Sequence, residues 1–429
     1  MTKEEPPMEQ HMYGEVELPV KPLSSHAQHA GQEAVDTIRQ LASSMQGLRV
    51  LHVNSTSYGG GVAELLYTIV PLMRDAGLDA GWHAIQNVPA QFFDITKKIH
   101  NTLQGSQDYL SEAEWELYED VNRKLAQSFP AGPWDIVIMH DPQPLAARAF
   151  MENMPAHRRP AVRHWVWRCH IDLSTPNPRT WGKLWPYINH YDGAIVTSKA
   201  YARDEITATV FEITPSIDPT SPKNTMRPTH DVHQVLASFG VDASRPLMLQ
   251  VSRFDPWKDP FGVVEAYRLV KQHEPRLQLA MVGSIAADDP EGVGILEKLK
   301  AAARSDSDIH VLSNEDGVHA SEVSAFQQGA DVVVQKSSRE GFGLTITEAM
   351  WKGQPVVAGD ATGCRLQITN GQDGFITSTT EECAHRVHTL LDDASLRLNL
   401  GAVAHNTVRN RFLSTGHVAK YLELFAKLG

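Results

Sequence analysis

The 429-residue chain is long enough for two or three domains, each with its own hydrophobic core. It is 42% hydrophobic and 21% charged, as is typical of a soluble globular protein, and its formal net charge of −12 argues against a nucleic-acid or membrane partner. The sequence has no apolar run of the roughly 18 residues that span a membrane, no apolar secretory signal and three scattered cysteines, so we expect a cytoplasmic protein.

The N-terminal region is expected to precede the first folded domain. Residues 1–28 contain proline and glutamate with little periodicity, which predicts a mobile arm or an extended surface strap. From about Ala30 to Met45, the spacing of Ala34, Ile38 and Leu41 predicts a leading helix. The role of the arm is not encoded in a recognisable pattern.

A glycine-rich turn follows the first predicted strand, Leu48–Val53. The turn ends in Gly59, Gly60 and Gly61, and a helix with apolar residues at helical spacing follows to Met73, with Pro71 expected to kink its last turn. Glycines between a first strand and its helix let a ligand approach the backbone closely, although a simple tight turn would look the same.

Three further strands predict that the first half of the chain is an α/β domain ending near residue 225; they are 134–139, 164–168 and 192–197. Polar residues follow two of these strands, namely His140-Asp141 and His170-Ile-Asp172. Ligands of open α/β sheets bind beyond the carboxyl ends of the strands. Taken alone, His170 is better interpreted as a hydrogen-bonded core histidine.

The turn-rich segment Pro215–Pro222 is the candidate hinge, or its edge, before a second α/β domain. Five short apolar strands are predicted there, at 247–252, 277–283, 309–312, 331–335 and 355–358, and a final amphipathic helix contains Val418, Leu422 and Phe425. Arg253 and Lys258 lie in a loop after the first of these strands. They are either a solvated charge pair or the cations that neutralise a diphosphate.

The stretch Lys336–Gly353 concentrates two carboxylates, two glycines and a helix start. Gly341 and Gly343 disfavour helix before Leu344, so the helix begins near Leu344 or Thr345 with its positive dipole end toward the loop. Backbone N–H groups there could bind a phosphate, with Glu340 and Glu348 on either side. The alternative is that Thr345-Ile-Thr-Glu348 is only a capping box.

The Glu-x7-Glu spacing around Gly-Phe-Gly resembles the donor-site signature of retaining glycosyltransferases such as glycogen and sucrose-phosphate synthases. Further blocks resemble the trehalose-forming members of glycosyltransferase family 4. They are His52-Val-Asn-Ser-Thr-x-x-Gly-Gly-Gly-Val-Ala-Glu64, His140-Asp-Pro-Gln-Pro144, Trp167-Arg-Cys-His-Ile-Asp-Leu-Ser174, Val251-Ser-Arg-Phe-Asp-Pro-Trp-Lys258 and Arg339-Glu-Gly-Phe-Gly343. Five blocks agree in order, from about residue 30 to the C-terminus.

The resemblance implies the GT-B fold, an α/β architecture in which two Rossmann-like domains face each other across an interdomain cleft. Residues 29–225 would be the acceptor-side domain, residues 226–410 the nucleotide-sugar donor side, and residues 411–429 a helix crossing back to the first domain.

The resemblance also implies a set of site residues. Glu348 would hold the ribose, Glu340 the hydroxyls of the transferred sugar, and Arg253 and Lys258 the diphosphate. His170 would act near the reacting carbon, so the implied catalytic set is Glu340, His170, Arg253 and Lys258. Further donor contacts would come from Gly59, Gly60, Gly61, Gly341, Phe342, Gly343 and Leu344, and acceptor contacts from Asn54, Asp141, Gln143 and Asp172.

The activity implied by the resemblance is reversible, retaining transfer of glucose from UDP- or ADP-glucose to glucose, which forms trehalose. Two alternatives stay open: a trehalose phosphorylase, which uses inorganic phosphate, and a catalytically silent sugar or sugar-nucleotide sensor. No cofactor is required, because cationic side chains and a helix dipole can stabilise the leaving diphosphate, and the histidine spacing predicts no metal. The expected partners are small-molecule substrates, and a homodimer is compatible with the sequence.

Overall fold

The computed structural model describes residues 11–58, 60–284 and 290–429, which divide into two compact units. The first unit contains the chain up to Leu23, Asp36–Thr214 and Val418–Gly429. The second contains Ser24–Val35 and Pro215–His417. Each unit is built around its own sheet.

The sheet of the first unit has the strand order β1-β3-β2-β4-β5-β6-β7. Its strands are β1 (Tyr13–Glu15), β2 (Arg49–Asn54), β3 (Asp79–Ile85), β4 (Trp134–His140), β5 (Val162–Arg168), β6 (Gly193–Val196) and β7 (Thr209–Glu212). β1 is antiparallel to β3, whereas β2 to β7 pair in parallel. Because parallel strands are covered on both faces, the centre of the sheet is apolar: Ile136, Val137, Ile138 and Met139 of β4 are all buried.

The sheet of the second unit has six parallel strands in the order β10-β9-β8-β11-β12-β13. They are β8 (Leu247–Val251), β9 (Gln278–Val282), β10 (Ile309–Leu312), β11 (Val332–Gln335), β12 (Val356–Gly359) and β13 (Phe375–Thr377). Every residue of β8, β9, β11 and β12 is buried. Two hydrophobic clusters pack against this sheet, one around Ile346 and Phe326, the other around Val263 and Val387.

Helices lie in most of the connections between the parallel strands of both sheets, as such crossover connections usually require. Those described are α1 (Ala27–Ala30), α2 (Gln32–Ala42), α3 (Gly61–Asp75), α4 (Ala90–Leu103), α5 (Glu112–Gln127), α6 (Ala147–Glu152), α7 (Pro178–Ile188), α8 (Thr229–Ser238), α9 (Pro260–Lys271), α10 (Pro290–Ala303), α11 (Ala320–Gly329), α12 (Leu344–Trp351), α13 (Thr362–Arg365), α14 (Thr380–Asp392), α15 (Ala394–Arg411) and α16 (Ser414–Leu428). α3 continues past Pro71 to Asp75.

In the described part of the predicted N-terminal arm, residues 11–28, the chain contains the strand β1 and several buried side chains. Met12, Tyr13 and Val16 are buried where β1 extends the first sheet, and Leu23 is fully buried. The apolar residues around Gly14 are too few to give a recognisable strand pattern in the sequence. Their burial and the pairing with β3 nevertheless stabilise β1. Residues 1–10 lie outside the described residues.

The domain bounds given above stay predictions, and the compact units divide the chain at different places. The first division falls between Thr214 and Pro215 rather than near residue 225, and the chain rejoins the first unit from Val418. Ile217 forms a parallel bridge with Leu413, which groups the predicted hinge segment with the second unit. In the part of the chain that the structure describes, no helix is long and apolar enough to cross a membrane.

Candidate functional site

A tight loop precedes helix α12, as predicted. The helix begins at Leu344, and its N-cap residue Gly343 has φ +89°, a left-handed conformation that glycine adopts without strain. Among the described residues, no side chain caps this end of α12. The N-terminus is the positive end of the helix dipole, and it adjoins the loop that contains Glu340. A Cβ on residue 343 would lie 3.1 Å from the Glu340 side chain, so glycine also lets that carboxylate pass close to the backbone.

Glu340 and Lys258 form the centre of the candidate site. Lys258 lies at the end of a short 3-10 helix, Pro256–Lys258, in the loop after β8, and its Nζ is 2.6 Å from Glu340 Oε2. The Ser337 hydroxyl donates to the same oxygen at 3.2 Å. The two charged side chains are only 16% and 10% exposed, so solvent screens their attraction weakly.

Hydrogen bonds to backbone carbonyls hold this pair in place from the loops after β8 and β11. The side-chain amide of Gln250, on β8, donates to the Lys258 carbonyl at 2.9 Å, and the Ser338 N–H donates to the Trp257 carbonyl at 2.8 Å. The N–H of Gly363 donates to the Glu340 carbonyl at 3.0 Å. The loops after β8 and β11 are therefore tied together at the carboxyl edge of the second sheet, where ligands of such sheets bind.

Arg253, which was predicted to act beside Lys258, is in a different environment. Its guanidinium is 53% exposed and bonds to Asp255 at 3.2 Å, while Asp255 also caps the helix at Pro256–Lys258. An exposed pair of this kind contributes little stability, so Arg253 can reorient toward an anion at small cost. Phe342 also differs: its ring is buried against Phe412, so only its backbone can face a ligand.

Glu348 lies in the second turn of α12 with its carboxylate fully buried. Oε1 is 2.6 Å from Lys223 Nζ, and Oε2 accepts a hydrogen bond from Gln327 Nε2 at 3.3 Å. The carboxylate thus does not cap its own helix, and the capping-box alternative is wrong. Without a ligand, Glu348 is neutralised by Lys223, a residue that the sequence analysis did not single out.

Gln367 is a second residue that sequence reasoning missed. It is fully buried, and its side-chain NH₂ donates to the carbonyls of Phe342, of Gly343 at 3.2 Å and of Gly363 at 3.3 Å, while its carbonyl accepts from Thr347. One amide therefore fixes the loop before α12. No local pattern marks Gln367, because most of its partners, Phe342, Gly343 and Thr347, are 20 to 25 residues away in sequence.

In the first unit, the predicted glycine turn leads directly into α3. Gly60 is its N-cap with φ +156°, no side chain caps the helix, and Gly61 is its first residue. Gly60 and Gly61 are exposed, and among the described residues, apart from the chain neighbours of Gly60, no atom lies within 4 Å of a Cβ built on it. Gly59 lies outside the described residues.

Three histidines form a hydrogen-bonded row in the first unit. His52 Nδ1 is 3.0 Å from His140 Nε2, and His140 Nδ1 is 3.0 Å from His170 Nε2. His52 and His140 are buried on β2 and β4, whereas His170 is half-buried just past β5. His170 thus lies at the end of a strand, where ligands of such sheets bind, and is also hydrogen-bonded to a core histidine.

The predicted acceptor residues divide into two groups. Asn54 and Asp172 are buried with local partners: Asn54 accepts from Trp82 Nε1 at 2.7 Å and donates to the Thr56 carbonyl, while Asp172 accepts the Ser174 N–H. Gln143 differs, since its Oε1 has no hydrogen-bond partner among the described residues. An orphaned buried acceptor of this kind is a candidate ligand contact.

Asp141 has a strained backbone next to His170. Its φ is +62°, unusual for a residue with a side chain, and its Oδ1 accepts the His170 N–H at 2.8 Å. Burial raises the pKa of Asp141 to about 7, although the His170 N–H and the charge of Arg168 oppose the shift. The carboxyl therefore titrates near neutral pH.

This pKa gives a prediction for stability. Since the pKa of Asp141 is raised from 3.8 to about 7 on folding, its contribution to the free energy of unfolding is full below pH 4 and is lost as the pH rises through 7. Asp141→Asn retains the acceptor for the His170 N–H and removes the charge. Each pKa unit corresponds to about 1.4 kcal/mol, and because the surface of Asp141 is only partly buried, solvent screening reduces the effect, so the variant should be about 1–3 kcal/mol more stable at pH 8.

Thermal unfolding at pH 5 and pH 8 tests this expectation. The difference in Tm between Asp141→Asn and the wild type should be larger at pH 8 than at pH 5. Asp192→Asn is the matched control, because Asp192 also accepts a backbone N–H, that of Trp165 at 2.7 Å. Equal Tm differences at both pH values would contradict the assignment.

Comparison with known proteins identifies relatives along most of the chain. Residues 52–203 match the family described as "Trehalose synthase, N-terminal domain", and residues 234–407 match "Glycosyl transferases group 1". A trehalose synthase of Rubrobacter xylanophilus is 45% identical over 95% of this chain and 97% of its own length. One from Pyrococcus horikoshii is 42% identical over 95% of this chain and 96% of its own.

The chain is also similar, more distantly, to an enzyme of another activity and to proteins of known structure. A trehalose phosphorylase of Pleurotus pulmonarius is 25% identical over 96% of this chain and 61% of its own length. The structure of a sucrose-phosphate synthase from Thermosynechococcus elongatus matches with a TM-score of 0.69 at 16% identity, over 89% of this chain and 99% of the other. An Anabaena protein in complex with UDP and glucose matches with a TM-score of 0.64 at 19% identity, over 89% and 100%.

Proposed function

Because the chain belongs to the trehalose synthase family, we propose that it transfers glucose from a nucleoside diphosphate glucose to glucose and forms trehalose with retention of configuration. At the coarser level, it is a trehalose glycosyltransferase with the GT-B fold. The donor is UDP- or ADP-glucose, the reaction is reversible, and the site of action is the cytoplasm.

The observation that carries this proposal is the half-enclosed Lys258–Glu340 pair in front of α12. A nucleotide sugar has an anionic diphosphate next to a neutral, hydroxyl-rich ring. Lys258 offers the cation for the diphosphate, and Glu340, 2.6 Å away, offers an acceptor for sugar hydroxyls. The positive end of α12 adds a second electrostatic contribution for the phosphate.

Glu348 is proposed to hold the ribose, a role that requires a change at Lys223. The carboxylate is fully buried and paired with Lys223, whose side chain is 20% exposed. Ribose hydroxyls would therefore replace the Lys223 ammonium on Glu348. The desolvated carboxylate is a strong acceptor for a ligand that brings its own donors.

The proposed chemistry needs a stabilised leaving group rather than a metal. The bond between the sugar C1 and the diphosphate oxygen breaks, a bond from C1 to the acceptor hydroxyl forms on the same face, and the leaving phosphate oxygen takes the acceptor's proton. Lys258, Arg253 and the end of α12 stabilise the charge that develops on this leaving group. His170 is proposed to contact the donor sugar near C1.

Trehalose phosphorolysis is the second candidate, favoured by the distant similarity to trehalose phosphorylases. In that reaction inorganic phosphate would occupy the position of the leaving phosphate, and the Lys258 site would serve equally well. The ribose pocket at Glu348 would then have no ligand. A silent sensor is disfavoured, because a sensor does not require the enclosed charge pair next to the transferred group.

One panel of assays separates these activities. The purified chain is incubated with glucose and UDP-, ADP- or GDP-glucose, and in parallel with trehalose and inorganic phosphate, with product formation followed by NMR. We expect trehalose from UDP- or ADP-glucose, and no glucose 1-phosphate from trehalose and phosphate alone. Glucose 1-phosphate formation without nucleotide would replace the proposal by the phosphorylase, and no product in any reaction would support the sensor.

A further inference from the structure

The histidine row, which consists of His52, His140 and His170, leads into the core of the first unit. The rings of His140 and His170 are stacked, with centroids 5.3 Å apart and planes at 11°. His52, at the inner end, is fully buried and lies edge-on to the Tyr421 ring. The positions of the ring protons are linked along the row, since each of its two hydrogen bonds needs one donor nitrogen and one acceptor nitrogen.

The inner part of the row is electrically neutral. Burial lowers the pKa of His52 to about 3, so its imidazole carries one proton at neutral pH. His140 is in register with Arg168 on the neighbouring strand, and parallel partners project to the same face of a sheet. The Arg168 guanidinium is fully buried, and a second cation beside it would be strongly disfavoured. This repulsion favours a neutral His140.

The direction of the row follows from its inner end. His52 Nε2 is buried and has no hydrogen-bond partner among the described residues. A proton on Nε2 would leave a buried N–H without an acceptor, which is the costly arrangement. The proton of His52 therefore belongs on Nδ1, which donates to His140 Nε2. A neutral His140 then carries its proton on Nδ1 and donates to His170 Nε2.

We propose that His52 and His140 are positioning residues that hold His170 in the tautomer protonated at Nδ1. His170 Nε2 is the acceptor of the row, so the ring proton of His170 lies on Nδ1. The Asp141 carboxylate, which accepts the His170 backbone N–H, keeps the residue at the strand end. The row thereby holds His170 in one tautomer, whereas a free neutral imidazole interconverts between two.

The tautomer assignment can be tested without any turnover. In protein labelled with ¹⁵N-histidine at pH 7.5, long-range proton–nitrogen correlation distinguishes protonated from unprotonated ring nitrogens, and single substitutions assign the signals. We expect the Nδ1–H tautomer at all three positions. A His170 protonated at Nε2, or on both nitrogens, would overturn the proposal whatever reaction the protein catalyses.

Steady-state kinetics test whether the orientation of His170 affects turnover, and this test rests on the proposed function. In His52→Asn, the amide NH₂ occupies the place of Nδ1–H and preserves the donor to His140, whereas His52→Leu removes it. We expect His52→Leu to lower kcat about tenfold, as the loss of one oriented hydrogen bond does, with little change in donor KM, and His52→Asn to recover most of that loss. His164→Leu, a β5 histidine outside the row, is the control.

Equal kcat values for His52→Asn and His52→Leu in correctly folded protein would contradict the positioning role of His52. If neither variant folds, the ¹⁵N spectrum of the wild type still decides the tautomer. If the wild type has no transferase activity while the spectrum shows the expected tautomer, the proposed function fails and the assignment of the row stands.

Discussion

Replacing Lys258 by alanine is expected to lower kcat by about two to three powers of ten, the usual effect of removing one group that stabilises developing charge. The ammonium lies 2.6 Å from Glu340 in a site that is mostly shielded from water, where such a charge is effective. Steady-state rates at saturating donor and acceptor measure the loss. The donor KM should change less than kcat, since Lys258 is proposed to act mainly on the leaving group.

Two variants complete this experiment. Lys271→Ala removes a similarly paired lysine, whose Nζ bonds to Asp308 in the same unit, and should leave kcat within a few-fold of the wild type. Arg253→Ala should have a smaller effect than Lys258→Ala, because the Arg253 side chain is 53% exposed and reaches a ligand only by reorienting. A near-wild-type kcat of Lys258→Ala would contradict the proposed contact of Lys258 with the diphosphate.

The second large effect is expected from Glu340→Gln, and it should differ in kind from that of Glu348→Gln. Glu340 is proposed to orient the transferred sugar, so Glu340→Gln should lower kcat by about a hundredfold, more than it raises donor KM. Glu348→Gln should weaken donor binding by about 1.5–3 kcal/mol, the value of a hydrogen bond to a charged group.

Stability has to be followed in the same experiment. Glu348 is fully buried with Lys223, so Glu348→Gln leaves that lysine without its carboxylate and should lower Tm. Lys223→Met is the matched control, since it removes the same ion pair and retains the carboxylate. Equal kcat losses for the two glutamate variants, with unchanged KM, would contradict the division of roles.

Sequence patterns predicted the central strands and the start of α12 because these features depend on local composition. β8 and β11 are apolar runs, and Gly341 and Gly343 prevent the helix from starting earlier. The pattern did not reveal β1, β3, β7 or β13. β13 is only three residues long, and β3 includes Asp79, Gly81 and His83, so each is a strand mainly because its neighbour offers hydrogen bonds.

The chemistry-bearing residues of the site were predictable, but their partners were not. Glu340 and Lys258 stand in motifs, whereas their contact joins residues 82 positions apart. Lys223 and Gln367 have no local signal, because the first pairs with a carboxylate 125 residues away and the second with carbonyls of a loop. Similarly, His52 and His140 come together only because β2 and β4 are adjacent in the sheet.

A crystal structure of the chain with UDP bound would test the proposed donor site most directly. The account predicts that a phosphate oxygen of UDP lies within hydrogen-bond distance of Lys258 Nζ, in front of the first turn of α12, and that the ribose hydroxyls contact the Glu348 carboxylate in place of Lys223. UDP bound elsewhere, or bound while Lys258 contacts only Glu340 and Lys223 still pairs with Glu348, would contradict it.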